Sequence, residues 1–239
     1  MGNSGSSALH SASLSGDAGA LRKHIAHIND LRIAPLHAAA LGGHEECVRL
    51  LMNAPGILLD RRVVLGPALF PGVDDENNPF PNSLMTPLAC AILNGSLGIV
   101  KLLVADGASL ESIEECPSPL SMAICSHADV DILEYLLDSG ANTGGGADFL
   151  MLACLYGNVE AMDALYARGV TTDMNGALSI VVSKSYRTKI ADIPRVVTWL
   201  IDHGADVRRT YRIMDRLVEC GCTQTFDIVV GAFRNLMRR

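Results

Sequence analysis

At 239 residues the chain is long enough to bury a substantial core. It is 49% hydrophobic but only 5% aromatic, so that core must be built from Leu, Ile, Val, Ala and Met, the palette of packed helices. A net charge of −7 argues against nucleic acid as the ligand, because phosphate binding needs a basic face.

The charge is unevenly placed. Residues 1–183 hold 8 Lys/Arg against 20 Asp/Glu, and residues 184–239 hold 11 against 6. Arg208, Arg209, Arg212 and Arg216 are spaced so that a helix could gather several of them, and a solvated face is the preferred reading over a phosphate or lipid site. The cysteines number 7, with no Cys-x-x-Cys pair and no histidine at zinc spacing, the pattern of reduced thiols in a cytoplasmic protein. Cys220 and Cys222 read as small hydrophobes ahead of metal ligands, and no metal or cofactor is expected. No uninterrupted apolar stretch reaches the length of a membrane span; the most hydrophobic, residues 87–107, is broken by Asn94, Gly95, Ser96 and Lys101.

The chain opens on a small, polar stretch, residues 1–7, read as a flexible tail. Met1-Gly2-Asn3-Ser4-Gly5-Ser6 matches the N-myristoylation pattern, with Gly2 as the acceptor. A single acyl chain gives weak, reversible membrane association, at the cytoplasmic face of a membrane.

From residue 8 onward the sequence repeats itself. The clearest unit runs from Ala34-Pro35-Leu36-His37 through Gly42-Gly43 to Leu50-Leu51-Met52. Pro opens a short helix, Gly closes it seven residues after the motif Leu, and a second helix follows. The motif Leu recurs as Leu9, Leu36, Leu88, Leu120, Leu150 and Leu178, with Met214 as a degenerate copy. The step to Gly recurs at Gly16, Gly43, Gly95, Gly157 and Gly221. Turns that reverse the chain after the second helix stand at Asp106-Gly107-Ala108, Ser139-Gly140-Ala141 and His203-Gly204-Ala205.

Two insertions interrupt the period. Leu36 and Leu88 are 52 residues apart where the other intervals are 27 to 36, and the surplus lies in residues 57–85. Pro67, Pro71, Pro79 and Pro81 exclude a continuous helix there. Phe70 and Phe80 set this insert apart from a disordered loop: they dock back onto the array, the preferred reading, or await a partner. A shorter insertion around Tyr186-Arg187-Thr188-Lys189 lengthens the sixth unit.

Ala34-Pro35-Leu36-His37, Thr86-Pro87-Leu88-Ala89 and Ser118-Pro119-Leu120-Ser121 resemble the signature of the ankyrin-repeat family, whose unit is two antiparallel helices and a β-turn. The resemblance covers nearly all of residues 8–236 and implies an all-α solenoid, an ankyrin-repeat domain over 8–239. It would have about seven helix-turn-helix units, including two degenerate caps, with the long insert after the second unit. Such units cannot bury their apolar faces alone, so they stack. The family also implies that His10 and His37 tie adjacent turns by hydrogen bonds, and that the residue five after each motif Leu faces a concave binding surface. Those residues are Leu14, Leu41, Leu93, Cys125 and Leu155, with Tyr156 next in sequence: an apolar stripe suited to an amphipathic helix or apolar peptide of a protein partner, or else filler between helices.

The resulting expectation is a non-catalytic protein-interaction module or scaffold. A permanent subunit of a large intracellular assembly is the alternative. An enzyme is disfavoured, since no P-loop, dinucleotide fingerprint or nucleophile elbow occurs. His44-Glu45-Glu46 lacks the second histidine of a zinc protease, Gly144-Gly145-Gly146 lacks strand-then-helix context, and Asp74-Asp75-Glu76 does not match a calcium loop.

Overall fold

Pro or a small polar residue starts most of the first helices, and a left-handed residue ends them, so the chain folds as short antiparallel helix pairs. The computed structural model describes residues 4–24, 34–64, 83–113, 116–144, 148–184, 193–210 and 223–237. They group into two compact units, Met1–Asn142 and Thr143–Arg239, where the sequence reading had one array.

The first unit holds four pairs: α1 (Ser4–Ser15) with α2 (Ala18–His24), α3 (Pro35–Leu41) with α4 (Glu45–Met52), α5 (Pro87–Asn94) with α6 (Leu97–Ala105), and α7 (Pro119–Cys125) with α8 (Val130–Asp138). Helix α5 shows the local logic. The Thr86 hydroxyl accepts the Ala89 N–H at 3.2 Å, Pro87 fills a position with no N–H to satisfy, and Gly95 turns left-handed (φ 77°) to close the helix. Ser118 caps α7 in the same way, accepting the Ser121 N–H at 3.1 Å. In this helix the left-handed position is taken by His127, with φ 52°.

The flexible tail expected over residues 1–7 is shorter than that: α1 already begins at Ser4. Leu9 is fully buried and fixes the helix, and propagating a nucleated helix by one further turn costs little.

The second helices carry one buried pattern, two adjacent residues and a third four residues after the first: Cys47, Val48 and Leu51; Ile99, Val100 and Leu103; Ile132, Leu133 and Leu136. On the first helices, Leu36, Leu88 and Leu120 lie in the same core, and Ala38, Ala39 and Ala40 are sealed completely. Alanines there let α3 lie close against both α1 and α5.

Between the second and third pairs the chain departs and returns as a two-stranded antiparallel sheet, β1 (Val63–Val64) with β2 (Leu84–Met85), in the register Val63 to Met85 and Val64 to Leu84. Residues 65–82, with Phe70 and Phe80, lie outside the described residues, as does Gly2.

The second unit repeats the scheme with α9 (Phe149–Tyr156) and α10 (Val159–Ala167), then α11 (Met174–Lys184) and α12 (Ile193–Asp202). A 3-10 turn (Val207–Thr210) and α13 (Thr223–Met237) complete it. Met162, Leu165, Val196, Val197 and Leu200 continue the second-helix pattern in its core. Asp148 caps α9 by accepting the Met151 N–H at 2.8 Å, and Asn158 caps α10 by accepting that of Ala161 at 3.0 Å. Met214 and Gly221, read as a degenerate last motif, lie outside the described residues.

Candidate binding surfaces

The second helices of the first unit bury their apolar residues fully, but the first helices keep one register partly open. Leu14, Leu41 and Leu93 are half-buried at equivalent positions near the C-terminal ends of α1, α3 and α5. Cys125, at the same position of α7, departs from the expected stripe: it is 5% exposed, its small thiol packed as a core hydrophobe. In the second unit Leu155 and Tyr156 are half-buried at the end of α9, and Met151 and Leu152 of the same helix are open to a similar degree.

The large apolar residues most open to solvent among the described ones are elsewhere: Leu58, Val64, Val130, Tyr166 and Ile180. Leu58, at 64% exposure, and Val64, at 45%, both belong to the base of the insert. There the chain forms a cleft of about 690 Å³, whose walls include Ile57, Leu58, Arg61, Arg62 and Leu84. Asp60 lies in the same wall, and its carboxylate accepts the Ser109 N–H at 2.9 Å, tying the insert's first strand to the turn after α6.

His37 secures this base from beneath. Its Nε2 lies 2.8 Å from the Arg61 carbonyl and 3.1 Å from that of Met85. Carbonyls only accept, so Nε2 carries the proton and donates to both. The imidazole thus joins the outgoing and returning strands at once. Burial drives its pKa down to about 4, a desolvation cost that the two carbonyl bonds only partly oppose. His44 makes a second such tie, donating from Nε2 to the Leu14 carbonyl at 3.0 Å. The sequence reading had considered His44 only as a failed metal motif. Its spacing after Gly43 was visible, but its reach to the preceding pair was not.

The second unit carries a polar and aromatic cluster that the sequence did not reveal. Trp199 of α12 donates its indole N–H to the Asp163 carboxylate of α10 at 2.6 Å. The His203 ring stacks on the indole at 3.7 Å and donates from Nδ1 to the Trp199 carbonyl, and Tyr166 meets both rings edge-on. Trp199 is 7% exposed, so this cluster is a brace between helices.

The buried thiols are chemically quiet. Burial pushes Cys154 up to about 12 and raises Cys47, Cys90 and Cys116 as well, so none is a thiolate at neutral pH. Among the described residues no cluster of three His, Cys, Asp or Glu could hold a metal ion. No described helix is long and apolar enough to cross a membrane.

Residues 9–114 match the family model described as ankyrin repeats (3 copies). The fold is similar to the crystal structure of the human ASB11 ankyrin repeat domain, with a TM-score of 0.62 and 24% identity, covering 84% of this chain and 85% of that one. None of the curated proteins matches the sequence.

Proposed function

Because the chain belongs to the ankyrin-repeat family, whose repeats generally mediate protein–protein interaction, we propose that it is a non-catalytic module that holds a protein partner against its first helices. One observation carries the reading. The second helices seal their apolar residues, whereas Leu14, Leu41 and Leu93 in the first unit, and Leu155 and Tyr156 in the second, stay half-open at one register. Apolar surface kept near solvent in register suits an apolar or amphipathic segment of another protein.

Affinity capture from native cells, followed by mass spectrometry, tests this with the Leu93→Asp, Leu155→Asp double variant. The variant keeps the helical circular dichroism and loses the partner. Retention of the same partners, or unfolding, rejects the reading. A cytoplasmic location and acylation at Gly2 are further proposals supported by the sequence pattern alone, and intact-mass measurement of natively expressed protein checks the second.

A further inference from the structure

The cleft beside β1 differs in chemistry from the first-helix register. Its wall joins the two most exposed large apolar side chains of the first unit, Leu58 in the cleft and Val64 at its end, to a consecutive pair of arginines, Arg61 and Arg62. The unit around them is acidic, with 7 Lys/Arg against 16 Asp/Glu over residues 1–142. The one carboxylate in the cleft wall, Asp60, is turned toward the Ser109 N–H. The local charge is therefore positive where the surrounding charge is negative. At physiological salt, screening over roughly 8 Å leaves a docked group under the influence of the near arginines more than of the distant acids.

Shape narrows the occupant further. A volume of about 690 Å³ holds a few side chains and not a helix. One edge of β1 pairs with β2, and among the described residues the sheet has no third strand. An extended segment can run along the second edge, using backbone hydrogen bonds for affinity and side chains for selectivity.

We propose that this cleft is a docking site for a short extended segment of a partner protein, in which an apolar side chain seats against Leu58 and Leu84 and an adjacent Asp or Glu meets Arg62. The site rests on the protein-binding reading above but is separate from the first-helix register. Its base is preformed, since His37 and the Asp60–Ser109 bond fix the strands that build it.

Selection of a random dodecapeptide phage library on the full chain tests the assignment. Enriched peptides are then synthesised and titrated by fluorescence anisotropy against the wild type, Leu58→Asp, Arg62→Glu and Leu93→Asp. The expected consensus places an apolar residue beside Asp or Glu. Affinity should fall at least about tenfold in Leu58→Asp and in Arg62→Glu, and stay unchanged in Leu93→Asp. Circular dichroism of each variant confirms the fold; Leu58 and Arg62 are not core residues, so either variant serves if the other fails.

A basic consensus, no enrichment, or indifference to both cleft variants overturns the site. Loss of binding in Leu93→Asp alone overturns it too, while leaving the protein-binding reading standing. Two other occupants are also excluded or revealed. Binding that emerges only when residues 65–82 are deleted means that the chain's own segment fills the cleft, and self-association abolished by Leu58→Asp means that a second copy does. Either result refutes the proposal.

Discussion

The imidazole of His44 lies directly over Gly16: a Cβ added to that glycine would stand 2.6 Å from Nδ1, while Nε2 of the same ring donates to the Leu14 carbonyl. Successive helix pairs are thus fitted together at their loops as well as through their cores. Gly95 has nearly the same left-handed backbone, yet nothing lies within 4 Å of where its Cβ would be. Gly95→Ala should therefore cost only the backbone penalty, about 1 kcal/mol. Gly16→Ala should cost more, on the order of 2–3 kcal/mol, because the ring must also move and give up its bond. Urea unfolding of both variants, with His44→Ala closing a double-mutant cycle, measures the difference. Equal costs would show that the contact carries no energy.

His37 makes stability depend on pH. Its pKa is about 4 in the folded chain and near its model value of 6.5 when unfolded, so the unfolded state binds the proton more readily. The contribution of the neutral ring is full above pH 6.5 and is lost as pH falls through 4. A difference of this size corresponds to on the order of 3 kcal/mol. His37→Gln retains a donor but does not titrate. Urea midpoints of the wild type should fall more steeply between pH 7 and pH 4.5 than those of His37→Gln, and parallel curves would sink the assignment.

Trp199 is the chain's single tryptophan, so its emission reports on the second unit. Asp163→Ala leaves the indole N–H of a 7% exposed side chain without its acceptor, at a cost of about 1–3 kcal/mol. The emission transition should move to lower denaturant in that variant. Asp163→Asn, whose amide oxygen still accepts, should recover part of the loss; an unshifted Asp163→Ala transition rules out the brace.

The five described cysteines, Cys47, Cys90, Cys116, Cys125 and Cys154, are all buried and free. Iodoacetamide at pH 8 should leave them unmodified in the native protein and alkylate them once it unfolds. Peptide mapping after brief labelling reads this directly, and rapid native labelling of Cys90 or Cys154 would contradict their burial.

The repeat was legible because its turns need a residue that tolerates positive φ, and glycine marks that need in the sequence. Gly16, Gly43, Gly95 and Gly157 all have positive φ in the structure. The fourth pair shows the limit of that signal. His127 stands at the glycine position with φ 52°, so the turn persists although its marker is gone. A histidine can hold the left-handed region at a cost of about 1–2 kcal/mol, which packing around Leu120 and Ile132 can offset.

The first-helix register could be read by counting from each motif Leu, but its depth could not. Leu93 and Cys125 occupy equivalent positions, yet one is half-buried and the other is sealed, because exposure depends on the neighbouring helices. The prolines announced that the insert is not a helix. They could not announce β1 and β2, which are two residues each and depend on an imidazole many residues away.

That pairing has a consequence for the chain's tolerance of change. Val64 and Leu84 are already neighbours, so the entropy of bringing the two ends together is met by the sheet and by His37. Loop closure then varies only slowly with the length of what lies between. The stretch between the strands can be shortened, extended or exchanged for a foreign sequence with little effect on the helix pairs on either side, a natural port for grafting.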